Sequence, residues 1–190
     1  MSSTIGVQNI AHTDGTVAAT ISSGGVVAFV SNPSGITIPS ITLGTAQATT
    51  SGTVIDFTGI PSTAKRISVM FRGVSSGGSD VAALVQIGTS SGFKASGYVS
   101  LTHWGTGGTS DATGFAMYGI SGANILSGIM TISHMGSNVY VSSHSGKYNS
   151  TNGMFGGGDV DLGGTLDSVR IKQVSGGAFD AGSINIMYES

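Results

Sequence analysis

Apolar residues in this chain recur at every second position and almost nowhere with the spacing of a helix. In Arg66-Ile67-Ser68-Val69-Met70-Phe71-Arg72, Ile67, Val69 and Phe71 fall on one side and both arginines on the other. A strand points successive side chains to opposite faces, so this pattern reads as a half-buried strand. Residues 54–57, 81–87, 97–101, 115–118, 128–134, 138–143, 166–173 and 183–188 read the same way. Gly- and Ser-rich breakers at 75–79, 105–110 and 156–158 separate them. Many short strands punctuated by such turns predict an all-β protein, an antiparallel β-sandwich with a jelly-roll-like order of strands. The expected core between its two sheets is Ile67, Val69, Phe71, Val85, Ile87, Ile132, Val139, Val141, Val169, Ile171, Ile184 and Ile186.

The surface of such a sandwich is unusual here. Charged residues are only 8% of the 190, and glycine supplies 32 of them. An average globular chain carries roughly 25% charge. The hydrophobic share of 39% rules out disorder, which needs low hydrophobicity and high net charge. Ser, Thr, Asn and Gly must therefore cover the outside, a surface suited to assembly because it repels neighbours weakly. A net charge of −2 leaves no electrostatic footprint for nucleic acid. Without cysteine there are no disulfides and no thiolate metal sites. The first residues lack the basic and apolar regions of a signal peptide, and no apolar run approaches 18 residues, so no membrane insertion is expected.

Residues 1–43 differ from the rest. They hold no Lys or Arg, and the seven basic residues all lie between Lys65 and Lys172. Two short hairpins are readable, around Asp14-Gly15 and Gly24-Gly25, followed by the uncharged run Ile36-Thr37-Ile38-Pro39-Ser40-Ile41-Thr42-Leu43. About forty residues with so few large apolar groups cannot build a core alone. The division expected is an extended assembly arm at 1–43, with Ile5, Val7, Ile10, Ile36, Ile38 and Ile41 as its contacts, and a sandwich at 44–190.

Few residues carry chemistry. Gly73-Val74-Ser75-Ser76-Gly77 has the spacing of a nucleophile elbow, but that motif needs a helix directly after the serine, and a β-like run follows. A hairpin turn is the preferred reading. Asp159-Val160-Asp161 places two carboxylates on one side of a strand, a partial cation site at most. No metal and no cofactor are expected. A glycosidase needs two carboxylates across a cleft, and the one glutamate is Glu189. No enzymatic activity is expected. His103-Trp104, at a strand end opening into a Gly-rich loop, is the most distinctive pair. Tyr140, Tyr148 and Phe155 flank a second such loop. Aromatic faces stack on sugars, which makes these five candidates for host or glycan contact. The competing role, preferred for Trp104, is capping the core.

The opening, Thr4-Ile5-Gly6-Val7-Gln8-Asn9-Ile10 with His12-Thr13-Asp14-Gly15-Thr16 and Thr20-Ile21-Ser22-Ser23-Gly24, resembles the start of many bacteriophage tail-fibre and virion proteins. Residues 52–61 and 65–71, with 156–166 and 179–189, are similar to a module common at the C-terminal end of such proteins. The resemblance implies a structural virion component made in the bacterial host, a short fibre or spike with host-surface adhesion. It also implies a homotrimer, attached to other virion proteins through residues 1–43. A capsid decoration protein and a lectin-like carbohydrate-binding module are the alternatives.

Overall fold

The computed structural model describes residues 8–11, 15, 17–29, 39–78, 81–174 and 177–190. Among them every regular element is a strand, and every pairing is antiparallel. The chain divides into two compact units, Met1–Pro39 and Ser40–Ser190.

The first unit is a three-stranded meander of β1 (Asn9–Ala11), β2 (Val17–Ile21) and β3 (Val27–Phe29). Gly15 (φ 86°) and Gly25 (φ 80°) take the left-handed backbone its two connections require. Register aligns Ile10 with Ala19 and Phe29, and Ile21 with Val27, so one face is apolar. Ile10 is half exposed. Ile5, Val7, Ile36 and Ile38 lie outside the described residues.

The second unit contains β4 (Ile41–Leu43), β5 (Gln47–Ala48), β6 (Val54–Phe57), β7 (Arg66–Ser76), β8 (Val81–Thr89), β9 (Gly92–Phe93), β10 (Tyr98–Trp104) and β11 (Gly107–Asp111). It continues with β12 (Phe115–Ile120), β13 (Leu126–Gly136), β14 (Val139–Lys147), β15 (Gly153–Asp161), β16 (Ser168–Gln173) and β17 (Phe179–Glu189). A large sheet runs β11-β10-β15-β14-β13-β7-β17-β4, with β5 also on β17. A small sheet runs β12-β8-β16-β6, with β9 on β8. The chain crosses repeatedly between them, and the two sheets form a β-sandwich. Ile41, expected in the arm, pairs instead with Glu189 in the large sheet, so this unit begins at Ser40 rather than 44.

The core lies between the sheets. Ile67, Val69, Phe71, Ile132, Ile184 and Ile186 from one side meet Val85, Ile87, Val169 and Ile171 from the other. Val139 and Val141, expected in this core, instead face outward and are only partly buried. The Ser137-Asn138 turn (φ 50° and 61°) and a register shift before Gly136 set the pairing of β13 with β14. That register opposes Tyr140 to His134, Ser142 to Ile132 and His144 to Met130, which turns the even-numbered residues of β14 inward.

The unit has two distinct ends. Ser40 and Ser190 exchange backbone hydrogen bonds (3.0 and 3.1 Å), so the chain enters the sandwich beside its last residue. At the opposite end of the strands, Trp104 pairs with Gly107 and Met154, and Lys147 with Gly153. The β10–β11 and β14–β15 turns therefore project from the end remote from the chain's entry.

Candidate functional site

The remote end is built on stacked rings. Trp104 lies flat on Tyr118, with centroids 3.4 Å apart and planes 7° from parallel, and Tyr118 meets Tyr148 edge to face at 5.4 Å. Gly107, paired with Trp104 across the hairpin, packs against the same indole, where a Cβ would stand 2.9 Å from the ring. Trp104 thus packs on both a glycine backbone and a tyrosine, and Tyr148, next in the stack, is buried. Their geometry is that of a platform supporting the turns.

Above that platform the β14–β15 turn is braced by Asn149. Its Oδ1 accepts from the backbone N–H groups of Thr151 (2.9 Å) and Asn152 (2.7 Å), the pattern of an Asx turn. Thr106, Ser150 and Thr151 stand exposed around it. This end offers neutral hydroxyl and amide groups on a rigid base, and it carries no ionic side chain between residues 148 and 153.

The other candidates fall elsewhere. His103 and Phe155 are cross-strand neighbours on the outer face of the large sheet, their rings stacked at 5.8 Å. Phe155 is 65% exposed. Tyr140 is buried near the entry end, stacked with His134 at 4.9 Å, and burial pushes its hydroxyl pKa up. The five residues are therefore three groups: a platform, an outer-face pair and a core tyrosine.

The polar interior holds one group that sequence reading missed. His144 is buried, and its Nε2 lies 3.0 Å from Thr102 Oγ1, across Gly156. Its Nδ1 and the neighbouring Ser142 Oγ are buried with no hydrogen-bond partner among the described residues. Burial drives the imidazole pKa down to about 4, so at neutral pH the ring is uncharged. Only the outward or inward phase of β14 reveals this, and two valines in the opposite phase masked it.

Two ion pairs brace the sandwich. Arg170 donates to both carboxylate oxygens of Asp56 (2.7 Å each) and lies 4.1 Å over the Phe93 ring. Glu189 pairs with Arg66 at 2.6 Å. Ser75, in the sequence with nucleophile-elbow spacing, sits within the strand β7, and its Oγ donates to Asp180. Asp161 Oδ1 accepts from Gly163 N–H at 2.9 Å. Among the described residues no three His, Asp or Glu side chains gather as a metal site. No helix of the described residues is long and apolar enough to cross a membrane. No family model, curated protein or solved structure matches this chain.

Proposed function

We propose that the chain is a non-enzymatic assembly and adhesion protein, and specifically a structural component of a tailed-phage virion: a short fibre or spike. The observation that carries this reading is the polarity of the sandwich. The chain enters at Ser40, beside Ser190, and two hairpin turns stand at the other end on a stacked aromatic base. That arrangement suits a unit held at one end and touching a surface with the other. The resemblance of residues 4–24 and 52–71 to virion proteins supplies the particular setting, and the first unit supplies the attachment. Adhesion falls to the hydroxyl and amide groups of the turns, and host-surface glycan is the ligand that fits neutral hydrogen-bonding groups. Single contacts of this kind are weak, and many copies on one particle raise avidity by about 10²–10⁴.

The test uses particles carrying an epitope-tagged chain. The tag should appear on purified virions in a defined copy number, and removal of residues 1–39 should abolish incorporation. Thr151→Lys together with Ser150→Glu should reduce adsorption to host cells without changing the melting temperature. Absence of the chain from virions refutes the virion assignment. Unaltered adsorption by incorporated variant protein refutes the adhesive role of the turns.

A further inference from the structure

The β14–β15 turn holds Asn152-Gly153, and no other asparagine in the sequence precedes a glycine. The others precede Ile, Val, Ser or Pro, whose side chain or ring crowds the next backbone nitrogen. Glycine has no Cβ, so a neighbouring group can close on its nitrogen freely. Pairing fixes where that nitrogen points. Tyr148 N–H donates to the Asn152 carbonyl (3.2 Å), which makes residues 148 and 152 a hydrogen-bonded pair across the hairpin. Lys147 and Gly153 come next and are of the non-bonded kind, with the Gly153 N–H turned away from β14. On the other side of β15, β10 ends at Trp104, opposite Met154, and its pairing stops before reaching Gly153. Gly153 is exposed. Beside it, Asn152 Nδ2 donates to Thr151 Oγ1 (3.1 Å) and, at a longer 3.3 Å, to Asn149 Oδ1.

We infer that Asn152 is a self-modification site, where the Gly153 backbone nitrogen displaces the side-chain amide. The nitrogen gives up its proton to solvent base and bonds to Asn152 Cγ. The Cγ–Nδ2 bond breaks, and Nδ2 takes up a proton and leaves as ammonia, beside the Thr151 hydroxyl that already accepts from it. The product is a cyclic imide. Water then adds to either of its carbonyls, and the ring opens to aspartate or to isoaspartate. In sum a water is consumed and an ammonia released, with no oxidation or reduction. Solvent at the exposed turn supplies the water, and no other reactant is needed.

The position makes the conversion consequential. Residues 148–153 hold no ionic side chain, so the product carries the turn's first charge. A carboxylate accepts but does not donate, and at 152 it faces the Asn149 Oδ1, another acceptor. That Oδ1 also accepts from the backbone N–H groups of Thr151 and Asn152, so the brace of the turn loosens. Isoaspartate in addition routes the chain through Cβ and Cγ, which lengthens the backbone and breaks the pairing of 148 with 152. None of this depends on what the turn touches, so it stands apart from the adhesive role.

The test keeps the full folded chain for weeks in buffers between about pH 7 and about pH 9 and then analyses its peptides by mass spectrometry. The tryptic peptide 148–170 should gain the mass of an amide turned acid, at Asn152 and not at Asn149 of the same peptide. Isoaspartate should accompany aspartate, because only ring opening yields it. A nitrogen far below its pKa is deprotonated about tenfold more for each pH unit, so the rate should rise by about that factor. Gly153→Ala, whose Cβ would stand 3.3 Å from the Gly146 carbonyl, should slow the conversion on the order of tenfold. Urea-unfolded wild-type chain is the reference. Asn152 left intact in the folded chain while the unfolded chain converts overturns the proposal. So does conversion to aspartate without isoaspartate, or equal conversion at Asn149.

Discussion

Acid should loosen this protein through one histidine. In the folded chain His144 has its pKa lowered to about 4 by burial, against an ordinary value of 6.5. The folded state therefore disfavours the protonated ring. Its contribution to stability is full above pH 6.5 and is lost as pH falls from there towards 4, because the unfolded chain takes up the proton first. A difference of about two and a half pH units corresponds to about 3 kcal/mol at low pH. No neighbour offers an easy escape. Nε2 is committed to Thr102, Nδ1 has no partner among the described residues, and the glycine at 156 leaves the ring pressed on backbone. Urea denaturation followed by the single tryptophan reads this directly. The loss of unfolding free energy between about pH 7.5 and about pH 4 should be about 3 kcal/mol smaller in His144→Gln than in wild type. The carboxylates contribute equally to both and cancel. An NMR titration of His144 should show a midpoint near 4. Equal pH dependence in the two proteins, or a midpoint above 6, refutes the reasoning.

Further outcomes follow from particular contacts. Gly156→Ala places a methyl against the Leu101 carbonyl and the His144 ring and should destabilise the fold by about 2–3 kcal/mol, measured by the same denaturation. Trp104→Ala removes the ring that packs on Tyr118 and Gly107 and should cost about 3 kcal/mol, seen as a lower melting temperature by circular dichroism. Asp56→Asn should cost less than about 1 kcal/mol, because the Asp56–Arg170 pair is about a third exposed, and the loss should shrink further in high salt. Removal of residues 1–39 should leave the melting of the sandwich unchanged. Removal of 1–43 should lower it, because Ile41–Leu43 then no longer pair with β17.

Strand periodicity made the sandwich legible, and it failed where glycine or phase intervened. The alternation in 66–72 and 183–188 identified β7 and β17 and their inward residues, because one face of each is apolar and the other is not. Gly156-Gly157-Gly158 read as a breaker, yet it lies in β15, between β10 and β14. A Cβ at Gly158 would overlap the Val99 carbonyl, and one at Gly157 would stand 2.7 Å from the Ser142 carbonyl. Close strand approach demands glycine there, and no local pattern announces it. In β14 both phases hold plausible core residues, Val139 and Val141 against Tyr140 and His144. The choice is made by the turn at Ser137-Asn138 and the pairing with β13, which are long-range facts. Of the aromatic candidates, the composition of the loops found Trp104 and Tyr148. Their shared partner Tyr118 escaped notice because it lies on another sheet and far along the chain.

The reciprocal bonds between Ser40 and Ser190 have a mechanical consequence. A pull on the segment before Ser40, directed away from the hairpin turns, acts along the axis of β4. The bonds joining β4 to β17 at Ile41–Glu189 and Leu43–Met187 then carry the load together, in shear, instead of opening one after another like a zip. Gln47–Ile184 and Ala48–Ser183 lie farther along the same strand and share that load. A tether at this corner is therefore set to resist tension along the strands and to peel under a pull across them.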